Sequence, residues 1–332
     1  MRTGRAVFAA FAALLVLAAG AARAEPLKIG AIKTAGAGPL FIAIDKGYFA
    51  AEGFDPQMVF FDAAPPVAVA VVSGAIDFGV TGISAGFFNL AGHGELRIVG
   101  AQGRESPGFH NVVLLTSRKA YDGGLKTLAG LGGRSVAITG TGTPGHYAVG
   151  LAATKYHFNI ATVRFLSLGG VPNIVSALTG GQADAGATVV TVPMVPAISR
   201  GDFKVLGWVS DEFPFQDRAI FVSTKTADDR DKVERFLRAF RKGAQDYHDA
   251  FIGPDERPKD GPTAQAMIDL IAQHVGQKPE AVRLGLAYVD PTFRVDVKSV
   301  ERQVAWYKSQ GMVKPDVDAD AIIDKRYVVP LP

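Results

Sequence analysis

From residue 27 onward the chain switches repeatedly between two hydrophobic rhythms. Short apolar runs, many of them alternating, predict strands at 27–32, 58–61, 76–80, 96–100, 110–116, 134–139, 163–168, 185–190, 203–209 and 218–223. Between them, apolar residues spaced three and four apart predict helices at 39–48, 66–72, 84–91, 125–131, 146–157 and 171–178. Pro39 and Pro66 open two of these helices, at a position where the missing N–H costs nothing. Strands alternating with helices build mainly parallel sheets. After residue 224 the rhythm is helical only. Val233, Phe236, Leu237 and Phe240 share one face, Met267, Ile268 and Ile271 mark a second helix, and Val300, Val304 and Tyr307 a third. These three are expected to pack against the first of two lobes.

The two lobes are suggested by a repeat. Ser73-Gly74-Ala75-Ile76-Asp77-Phe78-Gly79-Val80-Thr81-Gly82-Ile83-Ser84 reads as a helix end, a tight turn, a short buried strand and a polar loop opening the next helix. Thr179-Gly180-Gly181-Gln182-Ala183-Asp184-Ala185-Gly186-Ala187-Thr188 repeats the pattern, with Asp184 placed 107 positions after Asp77. Two such units a domain-length apart predict two lobes built alike, each aiming a strand-end loop at a shared cleft.

Composition narrows the setting. Arg2 and Arg5, the apolar run 6–22 and the small-x-small pattern Ala22-Arg23-Ala24 predict a leader over 1–24, cleaved after Ala24. The absence of Cys excludes a lipid-anchored lipoprotein, disulfides, Cys nucleophiles and thiolate metal sites. Of the 35 Lys and Arg, three lie in the leader, so 32 basic residues face 32 acidic ones afterwards. A neutral mature chain gives no electrostatic case for nucleic acid. The remaining 308 residues suit about two domains.

The leader, Lys28-Ile29-Gly30, Gly47-Tyr48-Phe49, Glu52-Gly53, and the segments 73–79 and 180–185 together resemble the periplasmic substrate-binding proteins of ABC importers. The nearest branch is the one serving alkanesulfonate, taurine, nitrate and pyrimidine precursors. The resemblance spans nearly the whole mature chain and keeps its order. It implies an α/β, two-lobed periplasmic-binding-protein-like fold (type II), with two doubly wound mixed sheets joined by two crossing strands. The first lobe is then 25–110 with the return part 220–332, and the second 111–219. It further implies a periplasmic monomer that closes around one small-molecule ligand and docks onto an ABC permease with its ATPase subunit, without a cofactor.

In open α/β sheets, ligands bind beyond the carboxyl ends of the strands. Five polar or glycine-rich loops lie there: 34–39, with Thr34, Gly38 and Pro39; 62–66, with Ala64; 81–84, with Thr81, Gly82 and Ser84; 139–145, with Thr141, Gly142 and Thr143; and 188–193, with Thr188. Most run into helices, whose free N–H groups and positive ends suit an anion. Each Ser or Thr is equally suited to capping its own helix. Arg104 and His110 lie near the first crossing, where a side chain can pair with a carboxylate or sulfonate, and His146 falls in the first turn of a helix. Phe61, Phe87, Phe88 and Phe109 are candidates for an apolar wall, or for core.

Relatives that bind taurine and sulfonates often end the second-lobe strand with an aromatic-Asp-Pro segment. Here Val190-Thr191-Val192-Pro193 has no acid, so a ligand ammonium would lack its counter-ion. The expected ligand is a small organic anion, an aliphatic or aromatic sulfonate or carboxylate. A thiamine-pyrimidine or nucleobase-like precursor, or service as a sensor subunit, remain alternatives. Enzyme readings lack their parts. The six His contain neither HExxH nor an i, i+4 pair, and the chain has no G-x-S-x-G elbow and no P-loop.

Overall fold

The computed structural model describes residues 23–191 and 194–332, so all of the predicted leader except its last two residues lies outside the described residues, as do Val192 and Pro193. Ten strands form two five-stranded sheets. In chain order they are β1 (Glu25–Ile32), β2 (Phe54–Phe61), β3 (Phe78–Gly82), β4 (Leu96–Gly103), β5 (Val112–Ser117), β6 (Ser135–Ile138), β7 (Arg164–Ser167), β8 (Ala185–Val189), β9 (Phe203–Trp208) and β10 (Arg218–Ser223).

The first sheet runs β2-β1-β3-β10-β4 and the second β7-β6-β8-β5-β9. In each, four strands run the same way and one antiparallel strand pairs on both sides: β10 with β3 and β4, β5 with β8 and β9. That antiparallel strand is the one the chain lays down directly after crossing from the other sheet. The mixed α/β architecture with two crossing strands is therefore as expected from the sequence.

Local differences have local causes. β2 starts four residues before the expected 58, because it is an edge strand and tolerates Pro56. The helix expected at 125–131 shrinks to a 3₁₀ turn, Leu128–Leu131, in a stretch interrupted by Gly130, Gly132 and Gly133. In the first sheet the long helix Arg230–Phe251 buries Val233, Phe236, Leu237 and Phe240, with the Phe236 ring stacked on Phe78 at 3.7 Å. The helix Val297–Ser309 departs from expectation by reaching the second sheet's layer as well. Trp306 packs edge-on against Tyr147 at 5.2 Å, and a Cβ on Gly150 would lie 2.2 Å from its indole. Aromatic bulk on that helix leaves room only for glycine opposite.

Candidate ligand-binding site

The carboxyl ends of β3 and β8 and the loops leaving β1, β2 and β6 meet around one cavity of about 50 Å³. A buried water needs about 10–15 Å³ on a comparable measure, so the space suits a ligand of a few heavy atoms. All five loops singled out from the sequence contribute to its wall: Thr34 and Ala37, then Ala64, Thr81 and Gly82, Thr139 and Thr143 to Gly145, and Thr188 with Val189. The lobes touch beside it. The Ala85 N–H donates to the Gly142 carbonyl at 2.8 Å, joining the loop after β3 to the loop after β6.

The structure thus gathers Thr34, Ala64, Thr81, Gly82, Thr143 and Thr188 around the cavity. The other eight candidates are placed outside its wall. Gly38 and Pro39 are buried at a helix start, where a Cβ on Gly38 would meet Ile271 at 2.6 Å. Ser84 caps the helix Ala85–Gly92, its Oγ accepting from the Phe87 N–H at 3.2 Å. Thr141 is exposed and bonds Ser167 at 3.2 Å. Gly142, at φ 74°, uses its N–H on His146 Nδ1 at 3.0 Å.

His146 is buried between Phe165 and Trp306, and burial pushes its pKa down to about 4, which keeps Nδ1 an acceptor. Arg104 turns to Glu256 at 2.8 Å and lies 4.2 Å over the Tyr288 ring. His110 stacks on Trp208 at 4.2 Å, with Asp211 at 3.6 Å. The aromatic candidates are core: Phe87 packs on Phe221, Phe88 on Tyr307, Phe109 on Tyr288, and Phe61 against the apolar cluster.

Sequence reasoning missed the charged part of the wall. Arg218, Asp217, Asn111 and Gln102 all line the cavity and all are buried. Arg218 opens β10, so the return crossing itself carries it to the cleft. Its Nε donates to Asp217 Oδ2 at 2.9 Å and its Nη2 to the Tyr288 carbonyl at 3.2 Å, while Nη1 has no partner among the described residues. Two glycines make room for the guanidinium: a Cβ on Gly103 would lie 2.4 Å from Nη2, and one on Gly36 2.9 Å from Nη1. Asp217 Oδ1, Gln102 Oε1 and Thr188 Oγ1 are also buried with no partner among the described residues. Such orphans are rare in folded chains, and their concentration in one wall points to a ligand.

Behind this wall Glu105 is held by Asn111. The Asn111 Nδ2 donates to Glu105 Oε1 at 3.0 Å and to Asp217 Oδ2 at 2.7 Å. Burial first, and then the charge of Asp217, hold the Glu105 carboxyl well above the usual carboxylate range. Burial also raises Asp217, against the pull of Arg218. Two sequence expectations therefore change. The absence of an acid at 190–193 does not leave the cavity without one, because the crossing supplies Asp217. The helix starts offer fewer amides than counted, since Pro39, Pro65, Pro66 and Pro144 stand in first turns and carry no N–H.

Among the described residues no group of three or more His, Cys, Asp or Glu is placed to hold a metal ion, and no helix is long and apolar enough to cross a membrane. The NMT1/THI5-like family model matches residues 35–255. The fold is similar to that of the alkanesulfonate-binding protein SsuA from Xanthomonas axonopodis pv. citri, bound to MOPS: TM-score 0.73, 19% identity, 90% of this chain and 98% of that one. It is similar to the periplasmic aliphatic sulphonate binding protein SsuA from Escherichia coli, at TM-score 0.70 and 20% identity over 91% and 98% of the two chains. The periplasmic nitrate-binding protein NrtA from Synechocystis PCC 6803 gives 0.69 at 13% identity, over 90% and 84%. A comparison of the sequence with curated proteins finds no match.

Proposed function

This chain belongs to the NMT1/THI5-like family, and on that premise we propose that it is the solute-binding component of an ABC-type importer. It captures a small organic anion, a sulfonate or carboxylate, in the inter-lobe cleft and delivers it to a membrane permease with its ATPase subunit. The reading places the mature protein in the periplasm, as a monomer cleaved after Ala24, with lobes 25–110 plus 220–332 and 111–219. The work is binding and hinge closure, with no covalent step. A ligand that touches both lobes stabilises the closed form by its differential affinity for that form.

The observation that carries the anion is Arg218. A guanidinium buried in the cavity wall, with one nitrogen unpaired among the described residues and Asp217 as its hydrogen-bonded counter-charge, is a ready partner for a carboxylate or sulfonate oxygen. Thr34, Thr81 and Thr188 add hydroxyls from both lobes. A second reading is favoured by the side-chain amides of Gln102 and Asn111 beside that pair. A pyrimidine-type heterocycle presents both donor and acceptor edges and would use them.

The test is a ligand panel of aliphatic and aromatic sulfonates, carboxylates, nitrate and pyrimidines, read by thermal unfolding and calorimetry. At a hundredfold excess over the dissociation constant the true ligand stabilises by about 2.7 kcal/mol. Thr81→Val and Thr188→Val should each weaken binding about tenfold. A pyrimidine that shifts the melting point when no anion does selects the second reading. No shift across the whole panel defeats both.

A further inference from the structure

The cavity wall and the layer behind it form one hydrogen-bonded unit that ties the two crossings together. Glu105 lies in the segment between β4 and β5, and Asp217 and Arg218 lie on the return into β10. Asn111 Nδ2 donates to both carboxyl groups, the Val112 N–H reaches Glu105 Oε2 at 3.4 Å, and the Glu105 N–H donates to the Phe215 carbonyl at 2.9 Å. Glu105 and Asp217 are each 1% exposed and Arg218 5%. One guanidinium thus stands against two carboxyl groups in a water-excluded place.

Among the described residues no other charge faces this set. Arg104, next in the chain to Glu105, is committed to Glu256 and Tyr288. His110, next to Asn111, is stacked on Trp208 beside Asp211. Tyr247, on the long helix packed behind Arg218, exchanges hydrogen bonds with the Ala287 backbone at 3.0 Å, and Tyr288 turns its hydroxyl to Glu256 at 2.9 Å. A monoanion entering beside Arg218 therefore adds negative charge where no further cation waits. Burial of uncompensated charge is relieved by protonation of whichever group holds its proton most readily.

We propose that the cleft captures its monoanion together with one proton, and that Glu105 is the residue that takes it. The inference rests on the anion reading of the same site and adds the charge class of ligand it selects. The proton comes from solvent and no bond other than Glu105 O–H forms. Protonated, Glu105 keeps an oxygen for the Asn111 amide, so the link between the crossings survives while the second negative charge disappears. Burial and the neighbouring charge of Asp217 both favour the neutral form of the Glu105 carboxyl.

The experiment is calorimetry with methanesulfonate and with nitrate, on the full mature chain, in buffers of different ionisation enthalpy. Uptake approaching one proton per bound anion is expected, with affinity falling up to about tenfold per pH unit as pH rises above the neutral range. Glu105→Gln, a permanent mimic of the protonated group, should hold the low-pH affinity and lose the slope. Sulfate, close in size to methanesulfonate with a second charge, should bind at least about tenfold more weakly. Anion binding with no proton uptake and a flat pH profile overturns the proposal and leaves the anion reading standing. A slope that persists in Glu105→Gln overturns the assignment to Glu105. Failure of every sulfonate, carboxylate and nitrate to bind overturns both.

Discussion

Asp77 and Asp184 occupy the same place in the two sheets and are held there by different neighbours. Each carboxylate accepts a backbone N–H from a residue 49 positions earlier, Lys28 for Asp77 at 2.8 Å and Ser135 for Asp184 at 2.9 Å. Each follows a glycine with positive φ, Gly74 at 74° and Gly181 at 64°, which turns the chain from helix to strand. Neither aspartate lines the cavity. The repeated motif is therefore architecture: it fixes how a parallel strand enters beside its neighbour. The charged part of the cavity wall lies in the crossings, which are not repeated in sequence, and the two lobes differ most in the layer packed against the shared frame.

The third residue of the strand entry shows that difference at its largest. Gly79 and Gly186 each stand two residues after the aspartate. A Cβ at Gly79 would lie 2.2 and 2.4 Å from ring atoms of Phe221, whose ring is itself buried and packed on Phe87. A Cβ at Gly186 would meet only the tips of Leu178 and Ile174, at 3.0 and 3.1 Å. Overpacking against a fixed ring costs about 3 kcal/mol, whereas aliphatic tips give way for about 1 kcal/mol or less. Chemical denaturation of Gly79→Ala and Gly186→Ala should show that ordering. Equal losses would mean that the two layers are as alike as the frames.

A smaller effect separates the helices that follow β6 and β1. The second lobe places His146 in the first turn of Pro144–Lys155, whereas Gly38–Asp45 carries Leu40 and Phe41 there, with nothing to titrate. Burial holds the His146 pKa at about 4, below its unfolded value, so its contribution is complete above about pH 6.5 and is lost as pH falls toward 4. The full shift corresponds to about 3 kcal/mol, or about 2 kcal/mol once solvent near the ring is allowed for. His146→Asn, which retains an acceptor for the Gly142 N–H and does not titrate, should lose correspondingly less stability than the parent between pH 7 and 4. Hydrogen exchange should find the acid opening around 140–155 before 34–45. Parallel acid profiles for the two proteins would remove His146 from the comparison.

The frame was legible because it is written in local rules. Alternation in β1, the apolar face of Arg230–Phe251 and the paired turn motifs each declare themselves within a dozen residues. The loops around the cavity were legible for the same reason, since strand order sends them all to one edge. What no local rule reveals is which residue of a loop faces inward. Ser84 and Thr81 are three residues apart in a similar setting, yet one caps a helix and the other lines the cavity. Arg218 had a signal that the loop argument passed over: an Asp-Arg pair heading the wholly apolar run Ala219-Ile220-Phe221-Val222. Charges that enter a strand which must be buried need partners inside the molecule. Glu105 gives no such sign, because its burial depends on a contact with Asp217, 112 positions away.

The smallest expected effect lies in the aspartates themselves. Asp184 takes both the N–H and the hydroxyl of Ser135, at 2.9 and 2.8 Å, and the Ser135 Oγ accepts the Asp184 N–H in return at 2.9 Å. Although partial burial pushes it up, these bonds and the charges of Arg134 and Arg164 hold its carboxyl below the usual range. Asp77 takes the Lys28 N–H and the Lys232 ammonium at 2.8 Å, but Lys232 keeps Glu25 at 3.1 Å when Asp77 is gone. Asp184→Ala strands two part-buried donors and should cost about 2 kcal/mol; Asp77→Ala strands one exposed donor and should cost about 1 kcal/mol. The ionic share of the Asp77 loss should shrink as salt is raised, while the Asp184 loss stays nearly constant. A larger loss at Asp77 than at Asp184 would show that the long helix Arg230–Phe251, through Lys232, makes the first lobe depend on its turn more than the second depends on its own.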